Sequence, residues 1–147
     1  KQPVSGQAKA FKIVVKLKHF TGENAVYGAE LHFVHSDQFG AGPPENAETI
    51  YNADKFVPSG SQSEPPVESW RTYYGTINGQ PAAETVYALL LFGREEGVEF
   101  EEEVLATIVF SSAVTAPTSA QLVHWQFIDK DGNEIEVEID DSGLGGA

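Results

Sequence analysis

The chain has 147 residues, 41% of them hydrophobic, which is the size of one domain and enough apolar content for one continuous core. Its 22 acidic against 9 basic side chains leave a formal charge of −13, which sets it against nucleic acid and anionic membrane surfaces, because a polyanion is repelled and no basic stripe can release counterions. Cysteine is absent, so disulfides and thiolate metal sites are excluded, and no run approaches the roughly 18 apolar residues of a membrane helix.

The opening Lys1-Gln2-Pro3-Val4 carries no apolar signal segment, so any targeting peptide has been removed or lies outside this chain. From there on, period-two alternation recurs and marks half-buried antiparallel strands. In residues 11–18, Phe11, Ile13, Val15 and Leu17 share one face while Lys12, Lys16 and Lys18 line the other. In residues 27–35, Tyr27, Ala29, Leu31 and Phe33 alternate with Gly28, Glu30, His32 and Val34. Between residues 37 and 69 the pattern breaks on Pro43, Pro44, Pro58, Pro65 and Pro66, which predicts long connections with one short strand near 49–51 or 55–57. Asn78-Gly79 is a candidate hairpin turn. Residues 95–105 are the one candidate for a short helix, weakened by Gly97. Further on, Val123, Trp125 and Phe127 alternate with Leu122, His124 and Gln126, which predicts Trp125 in the core. Asp131-Gly132 then predicts a hairpin turn, and Ile135, Val137 and Ile139 alternate with Glu134, Glu136 and Glu138. No helical stripe runs for three turns and no repeat or linker appears. The expectation is a single all-β domain over residues 1–147, a two-sheet antiparallel β-sandwich.

Two runs do not alternate. Residues 86–92 (Val-Tyr-Ala-Leu-Leu-Leu-Phe) and 104–110 (Val-Leu-Ala-Thr-Ile-Val-Phe) are apolar on both faces. A sandwich strand normally shows one face to the core and the other to water, so an apolar outer face is either covered by a loop or is a binding surface.

Several blocks, in order along roughly residues 6–140, resemble a cohesin, the scaffold domain that anchors dockerin-bearing enzymes. Gly6 followed by Phe11-Lys-Ile-Val-Val-Lys-Leu17 is similar to the family's early strand. Tyr27-Gly-Ala-Glu-Leu-His-Phe-Val-His35 resembles its third strand, and Leu89-Leu-Leu-Phe-Gly-Arg-Glu-Glu-Gly97 its sixth strand with the acidic loop after it. Val104-Leu-Ala-Thr-Ile-Val-Phe110 resembles its seventh. The resemblance implies a nine-stranded jelly-roll sandwich, extracellular or attached to a cell surface and monomeric when unbound. Its flat face of strands three, five, six and eight would receive a dockerin. Carried over, that face uses Gly28, Glu30, His32 and Val34 on strand three, and Leu89 and Leu91 on strand six, with Arg94, Glu96 and Gly97 in the loop beyond. Strand eight adds Leu122, His124 and Gln126, and strand five falls within residues 70–76. On this reading Leu91 points outward as a central anchor, while Leu90 and Phe92 point into the core. The family pattern opens with a strand before Gly6 and closes with one after a late glycine; here only Lys1–Ser5 and Gly143-Leu-Gly-Gly-Ala147 remain for that pair.

The remaining constellations carry little chemistry. His32 and His35 form an H-x-x-H pair, but odd spacing on a strand sends the rings to opposite faces, so no metal site is expected from it. Asp129-Lys-Asp131-Gly-Asn133-Glu134 misses the spacing of a calcium loop and reads as a turn. The glutamates at 95, 96, 99, 101, 102 and 103 read as a solvated face rather than an acid–base pair. There is no G-x-S-x-G elbow and no phosphate loop. The expectation is therefore a protein that is not an enzyme and carries no cofactor. The alternative to dockerin binding is a carbohydrate-binding module, with Trp70, Tyr73, Tyr74 and Trp125 stacking on sugar rings; that would need two or three coplanar exposed aromatics.

Overall fold

The computed structural model describes residues 9–20, 26–35, 39–43, 47–56, 65–91, 98, 103–112 and 120–140. Among these the chain is all-β, with eight strands and no helix: β1 (Lys9–Phe20), β2 (Gly28–His35), β3 (Phe39–Gly42), β4 (Val67–Ile77), β5 (Gln80–Leu90), β6 (Glu103–Ser112), β7 (Ala120–Ile128) and β8 (Val137–Asp140). They form two antiparallel four-stranded sheets, ordered β3-β6-β1-β8 and β4-β5-β2-β7, which pack face to face as a sandwich. Only β4 and β5 are chain neighbours paired in one sheet; every other connection crosses to the opposite sheet.

Alternation selects the core. Val15 and Leu17 of β1 and Leu105, Ala106 and Ile108 of β6 meet Leu31, Phe33, Tyr87, Leu89 and Phe127 of the second sheet in one buried cluster. Full burial of a leucine or phenylalanine contributes about 1.5–3 kcal/mol each, so this two-sided interface holds the sheets together. Lys16 points to water between Val15 and Leu17, as the alternation predicts. Leu105 and Ala106 are both buried although adjacent, because a bulge opposite Val15 and Lys16 inserts Leu105 as an extra residue.

Both expected turns are present. At Asn78-Gly79 both residues have positive φ, 52° and 79°, the geometry of a tight two-residue turn that matches strand twist, and Ile77 pairs with Gln80 across it. At Asp131-Gly132, Gly132 has φ 83°, and the Asp129 carboxylate accepts the N–H groups of Asp131 and Asn133, each at 2.9 Å. That carboxylate is committed to its own turn. Beyond the bridge between Ile128 and Glu134 the chain changes sheets, and β8 pairs with β1 rather than continuing beside β7.

The expected short helix is corrected where it can be seen: Glu103, Val104 and Leu105 are strand, in the run of β6 that pairs with β1, and Val98 bridges Val26. Strand β3 was not foreseen. Near residues 49–51 Tyr51 makes a single bridge to Ala106. The short terminal strand pair of the family pattern, at residues 1–5 and 143–147, lies outside the described residues.

The segment 50–52 runs beside β6, with Thr107 N–H donating to the Ile50 carbonyl and Asn52 N–H to that of Leu105. It is tied across to the other sheet by Glu68 of β4. One carboxylate oxygen of Glu68 accepts Ile50 N–H (2.6 Å), Tyr51 N–H (3.1 Å) and the Tyr87 hydroxyl (3.0 Å). Burial, and then the Glu68 charge and hydrogen bond, push the Tyr87 phenol far above its ordinary pKa, so it stays a donor. Glu68→Ala leaves three donors unanswered and is expected to lower stability by about 1–3 kcal/mol in urea unfolding. Because Tyr87 is one of the three, Glu68→Ala combined with Tyr87→Phe should cost less than the sum of the single changes.

Candidate functional site on the outer face of the β2 sheet

Strand β2 is paired along its whole length with β5 on one side and β7 on the other. Ala29, Leu31, Phe33 and His35 face the core, and His35 is satisfied there by Thr85 Oγ1 at 2.7 Å. Gly28, Glu30, His32 and Val34 therefore stand on the outer side, as the sequence pattern expects. Pairing carries this phase across the sheet in rows. The first row is Val67, Leu90, Gly28 and Ile128; the second is Ser69, Ala88, Glu30 and Gln126. The third is Arg71, Val86, His32 and His124; the fourth is Tyr73, Glu84, Val34 and Gln121.

Several expected contact residues are corrected by these rows. Leu89 pairs with Ala29 and faces inward, Leu91 is fully buried, and it is Leu90 that is exposed, at 37%. Both faces of this run are apolar, so composition leaves its phase open, and the pairing with β2, Leu31 opposite Tyr87, fixes it. Leu122 is buried opposite Phe33, because a bulge at Val123 reverses the phase of β7 between His124 and Leu122. His124 and Gln126 are exposed as expected. Gly28 is on the outer side but covered: a Cβ there would stand 3.0 Å from Ile128 Cγ1 and 3.3 Å from Leu90 Cδ1, so those two side chains, not the glycine, form the surface. Arg94, Glu96, Gly97 and Phe92 lie outside the described residues.

The aromatic residues do not form one platform. Tyr73 is on the outer side of β4, while Trp70 and Tyr74 alternate to its other side. Trp125 is not in the core as expected but 40% exposed. It pairs with Leu31 on an outermost strand of its sheet and lines an open cavity of about 480 Å³ with Phe127, Ile135 and Val137.

The centre of the outer face is a polar cluster. His32 Nε2 lies 2.6 Å from Glu30 Oε2 and Nδ1 lies 2.9 Å from Glu84 Oε2. Carboxylates only accept, so holding both contacts at once calls for a proton on each ring nitrogen, an arrangement that favours the imidazolium form of His32. The His124 ring packs edge-on against it, with centroids 5.1 Å apart and planes at 82°. Burial is the largest single influence and lowers the His32 pKa, but the hydrogen bonds and charges of Glu30 and Glu84 together outweigh it and raise the pKa above its ordinary value. The sequence pointed to Glu30, His32 and His124 as neighbours on a face; it gave no sign of Glu84.

Compared with known proteins, the chain matches no family model, no curated protein and no solved structure.

Two measurements check this geometry. Leu91→Ala, which empties a core position, is expected to lower stability by about 2–5 kcal/mol, whereas Leu90→Ala should cost about 1 kcal/mol or less in the same urea titration. A histidine whose pKa rises on folding stabilises fully below its unfolded value, about 6.5, and that contribution is lost as pH climbs through the folded value. With chelator present, the melting temperature should therefore fall with rising pH over that window in the wild type but not in His32→Gln.

Proposed function

We propose that this domain is a non-catalytic interaction module that receives a dockerin on the outer face of the β4-β5-β2-β7 sheet, in the manner of a cohesin. It would thereby anchor enzymes or other proteins on an extracellular scaffold or cell surface. The observation that carries the reading is the composition of that face. The third-strand block, the segment assigned to strand five, the first two residues of the sixth-strand block and the residues carried over from strand eight fall on β2, β4, β5 and β7, which share one sheet. Its outer side bears an apolar row, Val67, Leu90 and Ile128, beside rows of small, charged and histidine side chains. Leu90 and Val67 are exposed at 37% and 54%, so a partner can desolvate them without disturbing the core. Apolar anchors bordered by polar groups that set register are the usual anatomy of a protein interface. The charge of −13 steers a partner with basic residues toward it.

The test is calorimetric titration against a panel of dockerins with calcium, run beside a panel of polysaccharides. One dockerin should bind, and Leu90→Ala should weaken it by about 2 kcal/mol, near 30-fold, with little loss of melting temperature. Retention on a polysaccharide that disappears in Trp70→Ala, with no dockerin bound, would replace this reading by carbohydrate binding.

A further inference from the structure

We propose that Glu30, His32 and His124 form a binding site for a divalent transition metal of the zinc class.

Strand pairing builds the site. His32 and His124 are direct partners across β2 and β7, and Glu30 stands two residues before His32, hence on the same side of the sheet. One ligand atom from each of the three lies within 4.8 Å of the other two. Ligand bonds of about 2.0–2.1 Å in a tetrahedral zinc site place ligand atoms about 3.3 Å apart. The metal thus requires the Glu30–His32 contact to open from 2.6 Å toward that spacing and the His124 ring to draw in. Both motions are open to partly exposed side chains.

The donor set selects the cation. Two imidazoles and one carboxylate are the ligands of open zinc sites, with the remaining position left to water; calcium and magnesium prefer oxygen alone. His32 is already oriented for the task. Its Nδ1 contact with Glu84 at 2.9 Å leaves Nε2 turned toward Glu30, the carboxylate–histidine–metal arrangement that fixes a ligand ring and raises its basicity. A metal on Nε2 takes the place of a proton there, so binding is coupled to proton release and leaves a neutral imidazole as ligand. Glu84 is a positioning residue; Glu30, His32 and His124 are the ligands. The H-x-x-H motif is not the site, since His35 is turned to the core and held by Thr85.

The experiment is titration of the full, tag-free, chelator-treated chain with Zn²⁺, followed by calorimetry and by metal content after gel filtration. The expected result is one ion per chain, with affinity reduced at least about 100-fold in His124→Ala and in His32→Gln, and about 10–100-fold in Glu84→Gln. Co²⁺ in place of Zn²⁺ should give the visible absorption of a site with nitrogen ligands, lost in His124→Ala. His124 is exposed, so that variant keeps the fold, and an unchanged circular dichroism spectrum checks it. Failure to retain an ion would overturn the proposal. So would equal Zn²⁺ affinity in the wild type and the His32→Gln/His124→Ala double variant, which would mean only diffuse binding to surface carboxylates.

Discussion

Strand β2 has a neighbour on both sides for its full length, and that double pairing leaves it no freedom of phase. Leu31 and Phe33 are fully buried, so Glu30, His32 and Val34 must face away from the core, and a shift of one residue would exchange the two sets. Hydrogen bonding then passes the same phase to β5 and, through it, to β4. The chemistry of the outer face is therefore decided by what the core requires of one strand. Histidine and carboxylate meet on that face because the alternative would bury ionic groups without the water that now solvates them.

The second sheet relates to the first through more than apolar packing. Since the chain changes sheets at nearly every connection, the sandwich depends on contacts between residues distant in sequence. Most of these are non-directional. Glu68 differs: its carboxylate fixes a backbone segment lying along β6 to the strands β4 and β5, and so sets where one edge of the sandwich sits. Within the second sheet, the chain Thr72–Thr85–His35 links β4, β5 and β2 on the core side, with contacts of 2.8 and 2.7 Å. The directional link through Glu68 restricts how the sheets slide, which apolar contact alone does not.

How much could be read from the sequence varied with the contrast between faces. Strands β1, β2 and β8 were legible because lysines or glutamates alternate with branched apolar residues, and Asn78-Gly79 because only a few residue pairs tolerate two positive φ angles. The phase of β5 was illegible, since Val86, Ala88 and Leu90 are as apolar as the inward residues between them. The bulge at Val123 left no mark in composition, and it sent Leu122 to the opposite side from the one expected. Strand β3 is Phe-Gly-Ala-Gly, of low strand propensity, and exists because β6 offers it an edge. At the candidate site the residue types were visible, but the assembly of His32, His124 and Glu84 needs two strand pairings that no local pattern encodes.

The ordering of the outer face into rows has a directional consequence. Neighbouring strands lie about 4.8 Å apart, so one row across four strands measures about 14 Å, the length of nine or ten residues of α-helix. A rod-shaped segment laid across the strands along Val67, Leu90 and Ile128 would meet an apolar surface from end to end. Turned to run along β5, it would pass Leu90, Ala88, Val86 and Glu84 in succession, from greasy to ionic within a few residues. The sheet thus distinguishes a visitor by the angle at which it arrives as well as by its composition.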